Sequence, residues 1–411
     1  MKQHGISKLD LKRQNRMQVL KILKQNGPTS RIDIANELGL TRAAVTIITN
    51  EMIEQGIIVE LGEYKHVAEK APRGRKKILI DINYHYKFVI GVAIEEDVIS
   101  VGLSTLSGEV LDKRNMNVDS ETSTEDMCKY IEASVHEILS DNCLDKTAVL
   151  GIGIGIYPDM YKRLELEVNN GRPDYSKFDD MVAQCTELPV VFDNSVKGSA
   201  WASIDFDRDK DPGYNELGFL QLGNNYNYVG VNFNESIITY ENRTEFIERI
   251  IVDPFADEVC TVCGRRGCVE NEITQDAIMD KIRKAYSKDK TPYLYQATKG
   301  DVKKLNKQII SAAYLNGDKD VVKIVDKSLV LFASLINNLF LSSNPHKIVL
   351  HNFDFNEGTD FDFIKAGVAR VAGEEIANCL EISHIDRKHR FLSGCALAVR
   401  DLFFDKGGFD V

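Results

Sequence analysis

Three cysteines, Cys260, Cys263 and Cys268, stand in a Cys-x2-Cys-x4-Cys run with Gly264 and Gly267 inside it. That spacing suits a zinc loop, because the glycines permit the tight turns that bring thiolates onto one ion. Two readings stay open: bound zinc, or reduced thiols that pair only on oxidation. A zinc here would be structural, since nothing indicates the activated water and substrate that a catalytic zinc needs. Nearer the N-terminus, Arg42, Ala43, Thr46, Ile47 and Asn50 recur at the spacing of one helix face. Their chemistry suits base reading: an asparagine amide pairs with adenine's edge, and Thr or Ile methyls meet the thymine methyl. The run Pro72-Arg73-Gly74-Arg75-Lys76-Lys77 suits the negative potential of a narrow minor groove. It equally suits a solvated basic linker.

The elements that must position the base-reading face are legible. Met17, Leu20 and Leu23, with Val19, have helical spacing, and Asn26-Gly27-Pro28 stops that helix. Ser30 with Asp33 forms a capping-box arrangement at the start of a second helix. Ile34, Ala35 and Leu38 form its inner face, and Gly39 suits its left-handed end. Thr41 caps a third helix, with Val45, Ile48 and Met52 inward and Gly56 at its end. Two short helices around a Gly-containing turn are the helix-turn-helix pattern. Arg31 and Thr41 join the outer face of the third helix as candidate DNA contacts. Strands at 57–61 and 77–82 flank a polar loop, giving a winged helix with Arg73, Arg75 and Lys76 on its wing. The competing reading is a helical protein-contact module.

Charge is divided unevenly. The 411-residue chain carries net −11, which alone argues against nucleic acid. Residues 1–82 hold 15 Lys and Arg against 9 Asp and Glu, so the acidity lies wholly in the remainder. A basic head on an acidic body fits a protein whose head alone meets phosphate. The length suits two or three domains, and 43% hydrophobic with 27% charged residues is ordinary globular composition. No apolar run approaching ~20 residues is evident, so no membrane span is expected. The charged first twenty residues read as no secretory signal. Cys128, Cys143, Cys185, Cys379 and Cys395 are scattered through apolar stretches and read as buried thiols, consistent with a reducing cytoplasm.

Beyond residue 82, strands are expected at 88–93, 98–103 and around Val110, a helix at 125–139, and strands at 149–156 and 190–192. A second half opens in the same way at 218–222 and 228–233, followed by a long helix at 323–341 and a strand at 347–350. This alternation implies a layered α/β body of two similar halves around a cleft.

With these motifs in view, the chain resembles the ROK family (repressors, open reading frames and kinases), specifically its winged-helix transcriptional regulators, over essentially its whole length. The head matches through Asn15, Val19-Leu20, Ser30-Arg31, Leu38-Gly39-Leu40, Val45 and Gly74-Arg75. The body matches through Gly151-Ile152-Gly153-Ile154-Gly155, Asp193-Asn194 and the run from Cys263 to Glu270, its most specific segment. The resemblance implies a winged helix-turn-helix over 1–82 and a two-lobed sugar-kinase/actin-like body, ribonuclease-H-like and duplicated, over 83–411. Lobe one would span about 83–195 plus a C-terminal helix at about 390–411, and lobe two about 196–389.

Departures from the family pattern carry the functional expectation. Kinase members place an Asp after Glu-Asn as general base; here Ser195 follows Asp193-Asn194, and a hydroxyl takes up no proton near neutrality without a partner. The Asp-x-Gly-Gly-Thr phosphate turn is replaced by Ala93-Ile94-Glu95-Glu96-Asp97, whose acids would repel ATP. The second glycine turn reads Gly223-Asn224-Asn225-Tyr226-Asn227, and the late strand, which in the family usually ends in Gly-Gly, ends Leu350-His351-Asn352-Phe353. No catalytic residue and no ATP are therefore expected.

In the sugar site Phe246 and Arg249 stand where the family carries Glu and His, and Asn194 and Glu270 remain. Arg249 would suit an anionic ligand, or is an ordinary surface residue. With the family's His replaced, a fourth zinc ligand would be Asp253, Asp257, Glu258 or water. The expectation is a repressor of carbohydrate-related genes. It would bind a palindromic double-stranded operator as a homodimer or dimer of dimers, with a sugar or sugar derivative as effector. The alternatives are control by a protein partner with a vestigial pocket, and an active sugar kinase.

Overall fold

The structure, a computed structural model, describes residues 8–63, 77–169, 172–206, 216–232, 247–352 and 358–409. The chain divides into two compact units, residues 1–212 with 388–411 and residues 213–387.

The head opens on α1 (Lys8–Asn26), longer than the apolar spacing predicts. Its added turns carry Leu9 and Leu11, both exposed, so no apolar stripe marked them. A two-residue strand β1 (Thr29–Ser30) leads into α2 (Arg31–Leu38) and α3 (Arg42–Glu54). The expected caps are present. Ser30 Oγ accepts from Asp33 N and donates to the Asp33 carboxylate at 2.6 Å, and Thr41 Oγ1 accepts from Ala44 N. Gly39 takes φ 64°, the left-handed conformation that closes α2. Strands β2 (Ile58–Glu63) and β3 (Ile78–Ile82) pair antiparallel, and β1 adds to the other edge of β3. Val19, Leu20, Leu23, Ile34, Val45, Met52, Ile58 and Ile80 are buried together beneath these elements.

The rest of the first unit is a five-stranded sheet. Strands β4 (Phe88–Ile94), β5 (Val98–Thr105) and β6 (Val110–Asn117) form an antiparallel meander. After α4 (Thr124–Asp141), β7 (Val149–Ile156) pairs parallel to β4. Helix α5 (Ser176–Thr186) leads to β8 (Val190–Asn194), parallel to β7, and α6 (Ser195–Asp205) follows. The helix after Asn194, expected to open the second lobe, packs in this first unit. The closing helix (Leu392–Ala398), continued by a π-helical turn to Phe404, returns to the sheet. Gly153 makes the approach possible: a Cβ there would lie 1.9 Å from the Gly394 carbonyl oxygen.

The second unit repeats the plan. Strands β9 (Glu216–Gln221) and β10 (Asn227–Asn232) form a hairpin, and β11 (Lys347–His351) and β12 (Leu380–Ile382) extend it in parallel. Helix α7 (Val269–Glu272) follows the cysteine run. Helix α8 (Lys319–Ser343) is a longer apolar stretch than the sequence suggests, and by length and composition alone it could cross a membrane. Its Leu331, Phe332, Leu335, Ile336 and Leu339 instead lie in the core of this unit with Ile348 and Leu350.

The scattered cysteines are also corrected. Cys143 and Cys185 are exposed, Cys128 and Cys379 half-buried, and Cys395 alone of the five is buried. Cys143 occupies the left-handed turn after α4 at φ 52°, and Cys185 falls on the outer side of amphipathic α5, so apolar neighbours in sequence did not mean burial.

Candidate functional site

The third helix presents the face its spacing predicts. Val45, Thr49 and Met52 turn inward, while Arg42, Ala43, Thr46, Ile47 and Asn50 are exposed. Ile47 is 70% exposed, which leaves its methyl groups free to meet an apolar edge such as a thymine methyl. Thr46 donates its hydroxyl to the Arg42 carbonyl at 2.7 Å, which engages that donor within the helix itself. Thr41 remains at the helix start as its cap. Arg31 is placed differently from a free phosphate contact: its guanidinium bonds Thr49, Asn50 and Glu60. Lys77, at the foot of the wing, pairs with Asp33 at 2.8 Å, and this bond, then that from Ser30, holds the Asp33 carboxyl below its usual range. Arg73, Arg75 and Lys76 lie outside the described residues.

In the body's first unit, the stretch replacing the kinase phosphate turn is filled from within. Arg390, only 4% exposed, reaches Asp97 at 2.6 Å and Glu95 at 3.7 Å. This basic partner comes from the returning C-terminal segment, far off in sequence, and no local pattern announced it. Burial chiefly, offset by Arg390 and reinforced by Asp97 and Glu96, raises the Glu95 carboxyl to about 7. A carboxyl whose folded pKa exceeds its unfolded value near 4.5 binds its proton more tightly in the native state, so stability falls as pH rises from 4.5 through 7. Glu95→Gln is therefore expected to raise stability at pH 8 by roughly 2–3 kcal/mol and to leave it nearly unchanged at pH 5. Urea melts at the two pH values check this; equal effects at both would contradict it.

Ser195 is buried at the first turn of α6, and Asp193 pairs with Lys197. Asn194 is also buried, and its side-chain oxygen caps α6 by accepting from Val196 N at 2.8 Å. That cap is a structural role which the sequence reading, taking Asn194 as a ligand contact, did not foresee.

In the second unit, the other glycine-turn equivalent meets an acid of its own. Glu248 Oε1 accepts from Tyr226 N at 2.8 Å, placing a carboxylate on a backbone amide of that turn. His351, at the end of the late strand, is buried against the Phe219 ring. Phe246 lies outside the described residues. Arg249 is exposed, and Glu270, half-buried, lies in the first turn of the short α7 with its N–H donating to the Glu248 carbonyl. Arg249 and Glu270 belong to this unit and Asn194 to the other.

The cysteines do converge. The Sγ atoms of Cys260, Cys263 and Cys268 lie within 4.8 Å of one another, and Cys263 and Cys268 are 3.5 Å apart. Gly267 is required twice over: it takes φ 66°, and a Cβ would strike the Asp253 carbonyl oxygen at 1.6 Å. Three soft sulfurs at this separation could hold a zinc ion. Among the described residues no His or carboxylate joins them within that distance. Of the expected fourth ligands, Asp253 pairs with Lys327 and Glu258 with Lys284.

The family model for the ROK family matches residues 89–357, and a winged helix-turn-helix DNA-binding model matches residues 12–59. The chain belongs to the ROK family. Its relatives include the xylose repressor of Caldicellulosiruptor bescii, 25% identical over 67% of each chain, and the xylose repressor of Bacillus subtilis, 22% identical over 83% of each. The DNA-binding transcriptional repressor Mlc of Escherichia coli is 21% identical over 83% of this chain and 81% of its own. Among solved structures, a ROK family transcriptional regulator described as a homologue of the E. coli Mlc protein superposes with TM-score 0.69 at 21% identity. It covers 96% of this chain and 97% of its own. A ROK family glucokinase from Streptomyces griseus superposes with TM-score 0.54 at 18% identity, over 75% of this chain and 98% of its own. At these identities the structures speak to fold: a winged head joined to a sugar-kinase-like ROK body.

Proposed function

We propose that this ROK protein is a DNA-binding transcriptional regulator, a repressor of carbohydrate-related genes working in the cytoplasm, whose body senses rather than phosphorylates. The observation that carries the reading is the solvent-facing row Ala43, Thr46, Ile47 and Asn50 on the third helix of a basic head. The relatives named as xylose repressors and as Mlc support the repressor assignment. A dimer would place one such helix in each half of a palindromic operator, the halves about 34–36 Å apart or a multiple of it. An effector sugar or sugar derivative, bound through Arg249 and Glu270 of the second unit, acts only if it favours one head spacing over another.

Loss of kinase activity rests on chemistry. Glu95 and Asp97 with Arg390, and Glu248 on the Tyr226 amide, occupy both stretches where kinases meet phosphate. Ser195 offers no base. Selection of source-genome fragments by the purified chain, at low and physiological salt, tests the reading: a few palindromic sites that survive at the higher salt are expected. Weak, unselective binding lost as salt rises would leave only the phosphate contribution and sink it.

A second reading, control by a protein partner, is favoured by the cysteine loop, where Phe255 and Val262 are 91% and 75% exposed. A thermal shift with a panel of sugars separates the two, since a shift supports the small-molecule effector. Cys260, Cys263 and Cys268 would hold a structural zinc that fixes the loop leading to Glu270. About one zinc per chain is expected by mass spectrometry, falling below a tenth in Cys268→Ala; a metal-free wild-type chain purified under reducing conditions would contradict this.

A further inference from the structure

Asn50 does not project from the recognition helix as a free amide. Its Oδ1 accepts from a guanidinium nitrogen of Arg31 at 3.2 Å. A guanidinium only donates, so this contact fixes which end of the amide is which: the reversed amide would set donor against donor. The guanidinium is itself fastened. Its Nε donates to Thr49 Oγ1 at 3.0 Å, and the terminal nitrogen that meets Asn50 also meets Glu60 Oε1, on wing strand β2, at 2.7 Å. Thr49, buried, donates its own hydroxyl to the Val45 carbonyl, so it is oriented to accept from Arg31. Glu60, Arg31 and Asn50 thus form a chain of three side chains running from the wing strand, through the first residue of the second helix, to the reading face.

The consequence is a choice of base. An asparagine that pairs with adenine must accept from N6–H through Oδ1 while it donates to N7. Here Oδ1 already accepts from Arg31, so an adenine N6–H would have to share that oxygen with a cationic donor, while an acceptor on the base meets the Nδ2 protons without that competition. Guanine offers two acceptors, O6 and N7, in the major groove. We propose that Arg31 is a positioning residue that biases Asn50 to read through its amide donors, so that residue 50 selects guanine over adenine. This replaces the adenine contact expected from sequence, and moves Arg31 from direct DNA contact to the orientation of its neighbour. It rests on the operator-binding reading.

The test is selection of half-sites from a randomised duplex library by the full-length wild-type chain, by Asn50→Ala and by Arg31→Met. Wild type is expected to enrich a guanine at one base pair, about tenfold over adenine, and Asn50→Ala to lose that preference at that pair alone. Arg31→Met, freeing Oδ1, is expected to move the preference there to adenine while the remaining positions hold; a merely structural role for Arg31 would weaken every position alike. Adenine at the residue-50 pair with Arg31 intact, or a guanine preference unchanged in Arg31→Met, overturns the inference. The wild-type and Asn50→Ala comparison decides the base by itself, so the result survives a poorly folded Arg31→Met. Enrichment of any defined half-site by wild type establishes operator binding separately, so a wrong base at this pair would sink the inference alone.

Discussion

Ile47→Asp is expected to lower affinity for the selected operator about a hundredfold while shifting the melting temperature by no more than a degree or two. Ile47 is 70% exposed, so its removal takes little from the core. Its neighbours on the surface, Ala43, Thr46 and Asn50, leave it at the centre of the reading face. An aspartate there loses methyl contact with thymine and sets a carboxylate against an anionic duplex. One spoiled contact costs about 1–3 kcal/mol, and a dimer on a palindrome meets it twice, hence the hundredfold. The check is fluorescence anisotropy on the operator, beside a melt of the free protein. Equal affinity in the variant would place the recognition surface elsewhere; a large fall in melting temperature would make Ile47 a packing residue.

Arg400→Met is expected to destabilise the first unit by about 3 kcal/mol, the largest stability effect we anticipate from one side chain. Arg400 donates through Nε and a terminal nitrogen to the two oxygens of Asp205, at 2.7 and 2.9 Å, and its guanidinium lies 3.1 Å from the centre of the Trp201 ring. Asp205 is 3% exposed, so truncation removes both charge-assisted bonds from a buried carboxylate. Loss of the ring contact adds to this. The same Asp205 offers its backbone carbonyl to Lys24 of α1, so the closing segment, α6 and the head helix meet at one residue. Denaturant unfolding followed by tryptophan fluorescence is apt because Trp201 is the chain's one tryptophan. A loss under 1 kcal/mol would mean that water replaces the guanidinium.

What the sequence disclosed follows from the range over which each signal acts. Ser30, Gly39 and Thr41 act within one helical turn, and the expected α2 and α3 match the observed ones nearly residue for residue. The buried β7, with Gly and Ile alternating, was equally legible. Strand β1 was not, since two residues carry no periodicity and become a strand only by pairing with β3. Arg16 escaped as well: it reads as a charge on a basic helix, yet it is buried, donating to the Gly407 carbonyl at 2.8 Å with its guanidinium 4.0 Å from the Phe409 ring. The candidate sites divide in the same way. The cysteine run and the reading face are local patterns, and each is brought together. Arg390 beneath the first phosphate-turn equivalent, Glu248 on the second, and the Arg31–Asn50 bond depend on residues distant in sequence, where spacing carries no information.

The most direct test of the central claim is the ratio of two dissociation constants at physiological salt: one for the operator selected from the genome, one for a duplex of the same composition with its half-sites scrambled. A head that reads sequence predicts tighter binding to the operator by about a thousandfold or more, a ratio that persists as added salt weakens both. A ratio near one, with both constants rising together as salt increases, would contradict the account and leave the basic head as a phosphate anchor.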